Sequence, residues 1–326
     1  MILSLEQVRS ITQGTTYLEE ENGFFRFHRF TAEQEALYES LHPDLAIKTP
    51  ATAGVRLAFE TDSNALAFQF RLIKASSRET GRIDVYVDGA MVAHTGQPEY
   101  RAGVICRTSI ELGEGTKRVE IYLPWAMRAD LGAIELDDGA TLAPVSRRLT
   151  WLVFGDSITQ GYDCKYPSLS YVSTVARLLD ANELNKGIGG EVFFPELLEK
   201  ADAIEPDLIT VAYGTNDWSR GDRPKFETNC RAFYERLSAL YPNAKIFALS
   251  PIWRNNGTKE TGFGAPVTCV YDVLCEKTAD LANVTVIRGD AFIPHLKAFT
   301  TDGLHPNDVG FQIYAQVLAS EISAHL

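Results

Sequence analysis

LTWLVFGDSITQG, residues 149–161, separates two kinds of sequence in this chain. Its first six residues are a continuous apolar run, as a strand buried on both faces requires. Three later runs read the same way: residues 207–212 (DLITVA), 245–249 (KIFAL) and 283–287 (NVTVI). Between them, residues 171–179 and 226–240 place apolar side chains at three- and four-residue spacing, the period of an amphipathic helix. A last helix is expected from about Pro306 to the C-terminus, with the proline in its first turn. Strands alternating with helices predict a central parallel sheet with helices on both faces.

Upstream of residue 149 the rhythm is different. From about Val55 to Leu136 the pattern has period two. Leu66, Phe68, Phe70 and Leu72 alternate with Ala67, Gln69 and Arg71, and Ile83, Val85 and Val87 alternate with Asp84 and Tyr86. Asp88-Gly89 then supplies a hairpin turn. Val119, Ile121 and Leu123 continue the pattern. Strands that bury one face each must pack sheet on sheet, so this half is predicted to be an all-β sandwich, jelly-roll-like. Residues 23–30 (GFFRFHRF) are expected to add a strand. Pro144 interrupts the pattern, which places the boundary near 143–148 and the domains at 1–145 and 146–326.

Composition excludes several classes. Hydrophobic residues make up 45% and charged residues 23% of the 326, which is globular. The formal net charge of −12 argues against a phosphate-binding surface, and Arg147 and Arg148 are too few for a basic patch, so no nucleic acid partner is expected. No apolar run approaches the ~20 residues that span a bilayer, so no membrane partner is expected either. Residues 1–14, with Glu6 and Arg9, do not read as a signal peptide. The five cysteines are scattered and odd in number, which fits neither a disulfide framework nor a zinc site, and suits a cytoplasmic location. No His, Asp, Glu or Cys cluster shows metal-ligand spacing, so neither metal nor cofactor is expected. A homo-oligomer is compatible with this composition.

In an open parallel sheet, chemistry collects at the carboxyl ends of the strands. Just past the first buried run lies Ser157, past the second lies Asn216, and before the last helix lie Asp302 and His305. Taken singly, each has a plain structural use. Serine after a strand caps helices, and asparagine tolerates turns. Together they bring a hydroxyl, an amide and an Asp/His pair to one edge of one sheet.

The blocks that hold them are GDSITQG (155–161), NKGIGG (185–190), GTND (214–217) and DGLHP (302–306). In identity and order they resemble the four blocks of the SGNH, or GDSL, hydrolase superfamily, over roughly residues 149–326. No G-x-S-x-G elbow surrounds Ser157, unlike the α/β-hydrolases. The resemblance implies a flavodoxin-like sheet and a serine esterase, lipase or deacetylase. It implies Ser157 as nucleophile, His305 as general base and Asp302 as the group that orients the imidazole. The oxyanion hole it implies is built from the backbone N–H groups of Ser157 and Gly190 and the side-chain amide of Asn216, with Gly189 the alternative to Gly190 and Asn185 a brace.

A sandwich ahead of such a domain resembles the architecture of some carbohydrate esterases and acyltransferases. The expected substrate is therefore a small-molecule or glycan ester with a short acyl group. An acyltransferase, a lipase-type esterase and a carbohydrate-binding protein with a vestigial hydrolase domain are the other readings. Trp218 and Trp253 are candidates either to stack on a sugar or to pack, and Trp125 either to cover the site or to fill the domain interface.

Overall fold

A computed structural model describes residues 1–97, 99–201 and 203–326. The N-terminal part is a sandwich of two antiparallel sheets. In one, the strands run in the order Thr12–Gln13, Arg56–Thr61, Lys117–Tyr122, Gly81–Val87, Ala90–Gln97, and Ala143–Pro144 also pairs with Arg56–Thr61. In the other, the order is Tyr17–Glu21, Phe24–His28, Met127–Leu136, Ala65–Lys74, Ile105–Glu111. Leu66, Phe68, Phe70 and Leu72 all face inward, and they meet Leu57, Phe59, Ile83, Val85, Val119 and Ile121 of the facing sheet. The Asp88-Gly89 turn takes φ of +49° and +79°, as the twist of a two-residue hairpin demands.

The second part is a five-stranded parallel sheet, ordered Ala181–Asn185, Leu149–Gly155, Leu208–Ala212, Lys245–Leu249, Val284–Ile287. Counted along this domain the order is 2-1-3-4-5, that of a flavodoxin-like sheet. The continuous apolar run of its first strand now has a cause. Leu152 and Phe154 enter one core with Trp218, Phe226 and Phe233. Trp151 and Val153 enter the other with Tyr171, Val172, Phe311 and Leu318. The helices Arg223–Leu240 and Cys269–Thr278 cover the first face, and Tyr171–Leu179 and Asp308–Ser323 cover the second. Among the described residues no helix is long and apolar enough to cross a membrane.

Three local features depart from the sequence reading. The last helix spans Asp308–Ser323, and Asn307 caps it by accepting from the Gly310 N–H at 3.0 Å. Pro306 stays outside, and its ring disfavours helical backbone at His305, which keeps that residue on the loop. Two N-terminal helices, Leu5–Ile11 and Ala32–Leu41, accompany the sandwich, each opened by a capping box: Ser4 with Gln7, and Thr31 with Gln34. The edge strand Ala181–Asn185 is polar because the N-terminal domain covers it. Glu183 forms an ion pair with Arg56 at 2.9 Å with both side chains fully buried. Asn182 accepts from the Gly14 N–H at 3.0 Å. Removing one partner of a buried ion pair costs roughly 3–5 kcal/mol because the other charge is left buried and uncompensated, so Arg56 and Glu183 depend on each other across the two domains.

Candidate active site

The first parallel strand ends at Gly155, where an added Cβ would lie 2.0 Å from Thr159 Oγ1. Only glycine lets the chain turn that sharply into the short helix Ser157–Gln160. Asp156 caps that helix through the Ile158 N–H at 2.9 Å, and burial pushes its carboxyl up to about 7. Ser157 is thereby placed at the first helical position, where a backbone N–H has no intrahelical partner.

Ser157 Oγ lies 2.9 Å from His305 Nε2, and His305 Nδ1 lies 2.8 Å from Asp302 Oδ2. With its proton on Nδ1, the ring donates to Asp302 and accepts from the serine hydroxyl. Asp302 Oδ1 accepts the N–H groups of Leu304 and His305 at 2.9 and 2.8 Å. Burial alone would raise this carboxyl. The bonds from the His305 N–H and ring, with that of Leu304, outweigh it and hold Asp302 below the ordinary carboxylate range. It is therefore an anion at neutral pH.

The glycine loop after strand Ala181–Asn185 approaches the serine from the other side. The Gly189 N–H is committed to Gln160 Oε1 at 2.7 Å. Gly190, at φ +90°, has an N–H with no partner among the described residues. Of the two adjacent glycines, Gly190 is thus the one with a donor to spare. Asn216 spends one amide hydrogen on the Glu191 carbonyl at 2.9 Å and keeps the other. Asn185 braces the loop, donating to the Thr159 carbonyl and accepting from the Gly187 N–H. Asp217 accepts from the Phe193 and Gly214 N–H groups at 3.3 and 3.1 Å, and burial raises its carboxyl to about 6.

Several supporting residues had no signal in the sequence. The buried Arg29 guanidinium has no carboxylate partner among the described residues and donates instead to the carbonyls of Asn185 and Gly187, at 2.6 and 3.0 Å, as well as to those of Ala51 and Lys48. Lys48 bonds the Gly189 carbonyl, and Arg220 the Gly190 carbonyl at 2.7 Å. The N-terminal region therefore grips the glycine loop from behind. The Tyr162 ring lies 5.6 Å from that of His305, at an interplanar angle of 29°.

The tryptophans divide. Trp218 is 1% exposed, donates to the Ala265 carbonyl and carries the Arg254 guanidinium over its ring, so it packs. Trp253 is half-buried and lies parallel to His295. Trp125, also buried, donates to the Cys164 carbonyl and fills the domain interface. Beside it an open cleft of about 520 Å³ runs between the domains, lined by Arg78, Thr80, Arg82, Lys165, Thr301 and Asp302 among others.

One cluster with metal-ligand spacing does form: donor atoms of Asp163, Asp302 and His305 all lie within 4.8 Å of one another. Sequence spacing could not reveal it, because Asp163 is far from the other two along the chain. Its donors are already engaged. Arg78 and Thr301 hold Asp163, and the imidazole and two amides hold Asp302.

Residues 153–313 match the model of the GDSL-like lipase/acylhydrolase family. No curated protein sequence matches. Among solved structures, the chain is similar to a salicylyl-acyltransferase from a tetracycline biosynthetic pathway, with TM-score 0.81, 23% identity, and 96% of this chain and 94% of that one covered. It is similar to a family two carbohydrate esterase from Cellvibrio japonicus, with TM-score 0.68, 19% identity and 97% and 95% covered. It is also similar to a family two carbohydrate esterase from Clostridium thermocellum in complex with cellohexaose, with TM-score 0.64, 18% identity and 84% and 93% covered. At such identities the likeness is one of fold.

Proposed function

We propose that this carboxylic ester hydrolase, whose residues 153–313 match the GDSL-like lipase/acylhydrolase family, removes short acyl groups, acetyl first, from hydroxyls of a carbohydrate. The observation that carries this reading is the continuous relay from Ser157 through His305 to Asp302, at 2.9 and 2.8 Å.

In this mechanism the Ser157 hydroxyl gives its proton to His305 Nε2 as Oγ bonds the ester carbonyl carbon. The carbonyl oxygen gains the charge and is held by the N–H groups of Ser157 and Gly190 and the free amide hydrogen of Asn216. On collapse the bond to the sugar oxygen breaks, and His305 returns the proton to that oxygen. Water then repeats the sequence on the acyl-enzyme and releases the acid. Asn216→Ala should lower kcat by roughly 10²–10³-fold with little change in KM, since its donor matters most when charge develops. An unchanged kcat would remove Asn216 from the oxyanion site.

The polar, cation-bearing cleft beside Asp302 suits a polyhydroxyl alcohol better than a lipid tail. The carbohydrate esterases of similar architecture support the same class. On p-nitrophenyl esters, acetate is expected to exceed octanoate in kcat/KM by about tenfold or more, because a polar entrance offers the extra methylenes no apolar surface. A preference for octanoate would refute the carbohydrate reading and favour a lipase. Product analysis with added acceptor alcohols tests hydrolysis against transfer: free acid as the main product supports the proposal, and acylated acceptor would make the protein a transferase.

A further inference from the structure

Asp163 lies two residues past the turn that carries Ser157, in the left-handed region at φ +68°. Asp and Asn tolerate that region better than other side-chain-bearing residues, yet it persists only when held. Two groups hold it. Arg78, just after the sandwich strand Ala65–Lys74, grips the carboxylate through Nε at 2.7 Å and Nη2 at 3.2 Å. The Thr301 hydroxyl donates to Oδ2 at 2.6 Å.

That same Oδ2 is 3.7 Å from His305 Nδ1. This is too long for a hydrogen bond, and the Nδ1 proton already points to Asp302. It is short for two charges, and the side chains are only 12% and 13% exposed, so screening by salt is weak. Burial raises the Asp163 carboxyl, but the bonds from Arg78 and Thr301 outweigh it and leave it below the ordinary range. The Arg78 guanidinium also lies over the Tyr162 ring that stacks on His305. The groups facing the imidazole are thus Asp302, Asp163 and Tyr162, with Arg78 behind Asp163 and Arg254 beyond Asp302.

We propose that Asp163 is a second carboxylate for His305, a positioning residue seated by Arg78, so that the sandwich domain takes part in catalysis through this ion pair. The inference rests on His305 being the general base. When the ring accepts the serine proton it becomes a cation facing two anions. Asp302 selects the tautomer, and Asp163 adds charge without competing for the proton.

The test is a set of variants assayed on p-nitrophenyl acetate across pH. Asp163→Asn suits the left-handed backbone and should fold. It should lower kcat by about tenfold with KM nearly unchanged, and move the acid limb of kcat/KM to lower pH by about one unit, because a lost anion disfavours the imidazolium. Asp163→Gly, unstrained at this φ, should shift the limb equally.

In Asp302→Asn the two backbone amides keep the carbonyl oxygen, so the NH₂ faces Nδ1 and favours the wrong tautomer. With Asp163 present the loss should be about 10²-fold, short of the ~10⁴ typical when one carboxylate does this work alone. The double variant should fall to the level of His305→Ala. Arg78→Ala should match the kcat of Asp163→Asn within about threefold, as expected for members of one unit. Wild-type kcat there would remove the sandwich from catalysis. An unmoved acid limb in both Asp163 variants would overturn the proposal, whether or not kcat falls, because it would leave the residue a structural role. If Ser157→Ala and His305→Ala are inactive in the same assay, that failure belongs to Asp163 alone; if they are active, the underlying reading of the site fails first.

Discussion

Ser157→Ala is expected to lose at least about 10⁴-fold in kcat, the scale seen when a serine nucleophile is removed. The effect should be chemical and not structural. Ser157 is buried at the first turn of a four-residue helix whose cap is the Asp156 side chain, not its own hydroxyl. Its backbone N–H remains in the variant, and alanine is a favourable helical residue. The hydroxyl's hydrogen-bond partner is the His305 ring, which is itself anchored to Asp302. The melting temperature should therefore stay within a few degrees of wild type. Residual activity above about a tenth of wild type in a folded variant would remove Ser157 as nucleophile.

His305→Ala should be nearly as damaging, because in the proposed mechanism it removes both the base for attack and the acid for departure of the alcohol. Members of such a unit act together, so Ser157→Ala/His305→Ala should be little worse than either single variant. The ring's packing is a separate matter. It lies against Tyr162 and its side chain is 12% exposed, so its loss leaves a space that water can enter. A folded His305→Ala protein with kcat within about tenfold of wild type would mean that another group takes the serine proton. Independent, additive losses in the double variant would contradict the relay as drawn.

Much of this arrangement was legible in the chain because two physical patterns are strong. Residues 149–154, 245–249 and 283–287 are apolar on both sides because their strands feed two cores. The period-two stretches mark a sandwich for the opposite reason, since only one face is buried. Strand Ala181–Asn185 escaped notice because Asn182 and Glu183 spend their polarity on Gly14 and Arg56 of the other domain. No local pattern encodes such a partnership. The N-terminal helices did carry a signal, in Ser4-x-x-Gln7 and Thr31-x-x-Gln34 ahead of them.

At the site, the blocks hold the residues proposed to meet substrate and stay silent on those that hold them. Arg29, Lys48 and Arg78 come from a distant part of the chain and act on backbone or on Asp163, so nothing near them in sequence marks the role. For Trp218 the sequence left stacking on a sugar and packing both open; the first turn of that short helix directs the ring into the core.

The central claim is that Ser157 is the residue acylated in catalysis. Intact-mass and peptide analysis of the protein after treatment with a fluorophosphonate tests it most directly. One adduct per chain is expected, on the peptide containing GDSITQG and at Ser157, with none in Ser157→Ala and slower labelling in His305→Ala. An adduct on another residue, or equal labelling of Ser157→Ala, would contradict it.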